Sequence, residues 1–319
     1  MAIEQLISAK RLKESPVYTF FIGFFCTVVG MLLAMRVFPQ YSSIVMITFA
    51  ILPLVGVTYK LVNEEEKIYE KHSHVLWKNP VLGVLAFLFL GMVFAFTVGF
   101  IAIPQDVTQH LFANQLDTFY QLGGPTAQAV AGICQGNVVK EHSFTFCKSE
   151  DLNNDGNYEA VYYNGKDPVN VGTTDGELHN YNLYVFEAIF FNNLQLLLLV
   201  FLLSLLFGAG SLFVLAWNAS ILGVFFGSAI GELVNRTVGT NLYSALPITV
   251  WTIWFHGVPE FISFFLAAIS GGVLGIVLIK RKYSDKLFKN VIKQSCIVFL
   301  SSLILLAIAA AIEVIVLNP

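Results

Sequence analysis

Charge is what this chain has least of: Asp, Glu, Lys and Arg make up 12% of its 319 residues, against 56% hydrophobic. With a mean hydropathy of +0.71, that excludes the balance of an ordinary soluble domain and implies a polytopic membrane protein with lipid around it. A basic face for nucleic acid is missing too, because the 18 Lys and Arg fall mainly at the ends of apolar runs and the net charge is −3. Nor does the chain open on a short apolar segment with a small-residue cleavage site, so its first span is expected to act as the targeting signal. No His-Glu-x-x-His pattern, paired glutamates or serine elbow occurs, which leaves the commoner hydrolases without their motifs. Cysteine is scarce: Cys26 and Cys296 lie inside apolar runs, Cys134 and Cys147 in the one long polar segment.

What is present is a series of apolar runs near the ~20 residues that a helix needs to cross hydrocarbon. They cover residues 17–38, 44–59, 80–103, 246–279 and 291–317, with two more inside 190–234 joined by a tight inner turn near 208–218. Lys10, Arg11 and Lys13 precede the first run, and Lys280, Arg281 and Lys282 close the sixth. By the positive-inside rule the N-terminus is cytoplasmic and residues 104–186 extracytoplasmic. The expected fold is an α-helical membrane bundle of seven spans with a small extracytoplasmic insert, mixed α/β or β-rich. Three regions follow: 1–103 with three spans and a cytoplasmic hairpin at 60–78, the insert 104–186, and a four-span domain 187–319. In the hairpin, Glu64, Glu65, Glu66, Lys67, Glu70 and Lys71 read as a solvated helical stretch, and His72 and His74 as exposed loop residues.

The insert is small for an independent core. Cys134 and Cys147, in an oxidising compartment, are expected to staple it. Its segment Asp151, Asn153, Asp155, Gly156, Asn157, Glu159 opens like a calcium loop, with oxygen ligands at alternate positions and then glycine for the turn. Tyr162 stands where an EF-hand would end in glutamate, and Tyr158 to Tyr163 has strand character. The segment therefore reads either as a calcium-binding turn between strands or as an Asx-rich hairpin without metal.

The run 248–279 organises the rest, because it carries His256 and Glu260 beside Gly257 and Pro259. A charged group at mid-membrane costs roughly 2.5–3.5 kcal/mol on insertion scales, so such residues have partners. At ~1.5 Å per residue, Glu260 lies about 30 Å from Lys280, near the outer surface. Asn192, Asn193, Glu232, Arg236 and Glu313 fall at that same level by the same count. Gly257 and Pro259 are expected to break the helix, leaving 247–255 as a short outer half-helix. His256 and Glu260, at i and i+4, would face one way. Two ligands are fewer than the three of a catalytic zinc site.

Phe190-Phe191-Asn192-Asn193, the Gly208/Gly210 segment, Asn218 with Gly223, and above all His256-Gly257-Val258-Pro259-Glu260 followed by Gly271, Gly272 and Gly275 resemble the membrane domain of the stage II sporulation protein M family. That resemblance covers about 186–279, and Ala219 stands where the family typically has glycine. It implies an integral envelope protein; in sporulating bacteria the family is associated with cell-wall remodelling during engulfment. Three functions remain open from the residues. A non-enzymatic envelope protein would use the His256–Glu260 cluster as a polar lock and assemble with protein partners or with itself. A transporter or channel would use the cluster as its site, and an intramembrane metal-dependent hydrolase would use it for catalysis.

Overall fold

The computed structural model describes residues 9–71, 80–121, 145–150, 159–164, 167–170, 175–236, 242–280 and 285–317. Helix α1 (Ala9–Glu14) leads into α2 (Pro16–Val37), whose proline occupies the first turn, where no donor is lost. A single 3-10 turn, Pro39–Tyr41, joins it to α3 (Ser42–Lys71), and α4 (Pro80–Ala102) follows. Two short helices, α5 (Gln105–Leu111) and α6 (Ala113–Gln121), precede three strands, β1 (Thr145–Glu150), β2 (Glu159–Asn164) and β3 (Asp167–Asn170). Four long helices complete the chain: α7 (Asp175–Phe207), α8 (Ser211–Arg236), α9 (Leu242–Lys280) and α10 (Asp285–Leu317). Among the described residues, seven helical stretches are long and apolar enough to cross a membrane.

Helix α9 is the axis of the bundle. Over an 18-residue stretch of its span, Gly257–Ile279, 78% of the residues are buried, against 17% over the corresponding stretch of Ile189–Phe207 in α7. It packs on α3, α4, α7, α8 and α10. Close approach to α7 depends on glycine: a side chain at Gly271 or Gly275 would occupy the carbonyl oxygens of Phe201 and Leu205. The expected break at Gly257 and Pro259 does not occur, since α9 is one helix from Leu242 to Lys280. Proline removes one N–H donor from a helix that has many more, and a buried setting tolerates that loss.

Two further expectations change. The acidic run is not a solvated hairpin: α3 continues through it to Lys71, and Glu65 and Glu66 are 0% and 1% exposed. Glu64, on the open side, pairs with Lys13 of α1 at 3.0 Å. Residues 72–79, with His72 and His74, lie outside the described residues. The inner turn expected near 208–218 contracts to Gly208–Gly210, where Gly208 takes φ 69, a left-handed conformation that glycine adopts without a Cβ penalty.

The insert is not a unit wholly set apart from the bundle. Helices α5 and α6 pack on α3, and α6 also on α8, because their apolar face needs cover: Leu111 and Phe112 are fully buried. Phe112 meets Phe96 and Phe100 of α4 edge-on, with ring centroids 6.2 and 5.4 Å apart. At the other end α7 starts at Asp175, twelve residues ahead of the expected boundary at 187. Between them β1, β2 and β3 form an antiparallel sheet in sequence order. Glu150 pairs with Glu159, so the segment 151–158 connects two neighbouring strands.

Candidate functional site

The candidate residues of the membrane region lie on four helices, α7, α8, α9 and α10. Glu260 lies about 30 Å along α9 from its end at Lys280, and Glu313 near the end of α10. The two helices are consecutive and packed on each other, so the two positions share a level. There the carboxyl groups of Glu260 and Glu313 lie close enough to interact electrostatically. Both side chains are half-buried. The backbone carbonyl of Glu260 accepts a hydrogen bond of 2.6 Å from the Ser263 hydroxyl, which occupies an acceptor one turn above a fully buried serine.

Asn192 and Asn193 stand about 21 Å along α7 from its end at Phe207. The Asn192 side-chain amide donates to the Asn193 Oδ1 at 3.4 Å, and Asn192 is exposed. Among the described residues they therefore pair along their own helix. His256 lies on α9 one turn before Glu260, and Glu232 and Arg236 lie at the C-terminal end of α8; the side chains of these three lie outside the described residues. Cys134, Asp151, Asn153, Asp155 and Asn157 also lie outside them, while Cys147 falls on β1 and Glu159 opens β2. Among the described residues no three His, Cys, Asp or Glu come together as a metal group, and the cysteines described as free are Cys26 and Cys296.

A second polar cluster at this end was not legible in the sequence. Gln115 of α6 is fully buried, and its Nε2 donates to the Ser43 carbonyl at 3.0 Å. The Asn114 amide donates to the Ser43 hydroxyl. Ser43 sits in the first turn of α3, so these bonds latch the short helices over the end of the bundle. Two polar residues in a short amphipathic helix carry no signal of a partner more than seventy positions earlier.

Against known protein families, the stage II sporulation protein M family matches residues 19–316. The chain belongs to that family of membrane proteins. The match reaches well beyond the resemblance carried by 186–279 and covers nearly the whole chain. Searches against curated proteins and solved structures return no match.

Proposed function

We propose that this chain is a non-catalytic, multi-pass protein of the cell envelope that acts by assembling with protein partners or with further copies of itself. The observation that supports this most is where the most specific motif falls: on α9, the most deeply packed span, with Glu260 and Glu313 on two helices packed on each other. A polar group held between packed helices fixes register and rotation, which an assembly platform needs and a turnover site does not. His256 completes the lock in this reading. The N-terminus is cytoplasmic by the placement of Lys10, Arg11, Lys13 and Lys280, and residues 104–186 face outward as the docking region. Cys134 and Cys147 staple that region, and Asp151, Asn153, Asp155, Asn157 and Glu159 hold calcium in the connection from β1 to β2.

Cross-linking in native membranes, followed by mass spectrometry, tests the assembly. Cross-links from residues 104–186 to a second copy or to another envelope protein are the expected outcome. A chain that stays monomeric in native membranes and carries ions or solute across vesicles overturns the reading. That rival, a transporter with its site at the Glu260–Glu313 level, is favoured by one observation, the presence of two carboxyls within packed spans.

A further inference from the structure

Six of the seven spans fall into two triplets, α2–α3–α4 and α7–α8–α9, with α10 outside both, and the packing within one is repeated in the other. First and third helices cross in both, α2 on α4 and α7 on α9. First and second pack in both, as do second and third. Between the triplets, α3 packs on α9 and α8 on α4, which is one relationship seen from both sides. The remaining inter-triplet pairs, α3 with α8 and α4 with α9, join each helix to its own counterpart, as elements beside a twofold axis must be.

Named residues follow the same rule. Phe89 of α4 meets Phe265 of α9 edge-on, with ring centroids 5.6 Å apart at an interplanar angle of 70°. Each ring stands roughly 21 Å along its helix from that helix's C-terminal end, Ala102 or Lys280, hence within the membrane. The sequence offset that carries Phe89 to Phe265 also carries Phe96 to Gly272 and Gly99 to Gly275. Gly99 lies against Met31 of α2, and Gly275 against Leu205 of α7. Phe96 lies against Gly223 of α8, and Gly272 against Val62 of α3. Three equivalent positions on the third helix thus meet the equivalent helix each time. Because a triplet has an odd number of spans, its second copy runs through the membrane in the opposite sense.

The two equivalent seams are not equally tight. At α4/α8, a Cβ on Gly223 would fall on Phe96 Cβ and 3.1 Å from the backbone of Phe96 and Thr97. At α3/α9, the approach of α3 to Gly272 is through the Val62 methyls, 2.9 Å from such a Cβ. These seams lie at opposite ends of the bundle, one where α4 ends and the other where α9 ends. Two copies of one unit that pack unequally have a second arrangement in which the inequality is exchanged, at comparable energy. Packed interfaces of this kind move between discrete states and do not deform continuously.

We propose that α2–α4 and α7–α9 form an inverted repeat about a pseudo-twofold axis in the membrane plane at Phe89 and Phe265, and that the triplets rock there between two states, tightening one seam as the other loosens. A partner held at one face of the membrane then biases the packing at the other face. The proposal does not depend on the assembly reading, which stands if the triplets prove rigid.

Paired spin labels on genetically encoded side chains, with the full chain and its four cysteines in place in lipid nanodiscs, test it. One pair sits at residues 101 and 228, across the α4/α8 seam, and the other at 60 and 279, across the α3/α9 seam; Ile101 and Ile279 are exposed. The unsubstituted parent should give two distance populations at each pair. Gly223→Ala, which crowds Phe96, should raise the long population at 101/228 and the short one at 60/279. A single narrow distance at both pairs in the parent overturns the proposal. So does a Gly223→Ala change confined to 101/228.

Discussion

Gly275 of α9 sits against the backbone carbonyl of Leu205 in α7, so closely that a side chain at that position would take the carbonyl's place. The contact lets the central helix approach α7 backbone to backbone. Gly275→Val should therefore force the helices apart and cost about 1–3 kcal/mol, as overpacking does. Gly56 in α3 has nothing within 4 Å of where a Cβ would stand. Gly56→Ala should leave the detergent melting temperature unchanged or raise it, since alanine is the better helix former by up to ~1 kcal/mol. Equal losses from the two substitutions would contradict the packing.

The latch over the end of the bundle predicts a local effect. Gln115→Ala strips the Ser43 carbonyl of its buried donor, a loss of about 1–3 kcal/mol. Hydrogen exchange should then quicken in residues 105–121 ahead of the spans. Exchange that stays at the parent rate there would show that Phe112 alone holds the segment.

The acidic run at the end of α3 predicts a contrast between neighbours. Glu64→Ala breaks an ion pair on a side chain that is 44% exposed and should change stability by less than ~1 kcal/mol. Glu66→Ala, at a position 1% exposed, should cost more, about 1–3 kcal/mol, because it removes a buried polar group from its partners. Melting temperatures in one detergent settle the order. A larger loss from Glu64→Ala would reverse the assignment of which glutamate the bundle depends on.

Orientation is checked by labelling single cysteines placed at residues 74 and 140. A membrane-impermeant thiol reagent added outside intact cells should reach residue 140 and leave 74 untouched until the membrane is opened. The reverse pattern would invert the bundle.

Seven spans were readable from apolar run length alone, because hydrocarbon thickness sets the run. That Glu260 and Glu313 share one end of the bundle was readable as well, by counting from Lys280 along two consecutive helices. Other features depend on tertiary contacts, and local rules misjudged them. Gly257 and Pro259 are helix breakers in water, yet a helix packed on five others continues through them. Glu65 and Glu66 look solvated because charge runs usually are, but their helix turns that face into the bundle. Glu313 was legible as a polar residue near the end of its run, but which way it faces depends on how α10 rotates against α9, and a uniformly apolar helix does not encode that rotation.

The central claim is that the His256–Glu260 motif is a structural lock, and melting of the detergent-solubilised chain tests it most directly. His256→Ala and Glu260→Gln should each lower the melting temperature by an amount equivalent to ~1–3 kcal/mol, and the double variant should lose less than the sum, as coupled neighbours do. A transport or catalytic pair is held at the expense of stability. Two single variants that melt no lower than the parent would contradict the lock.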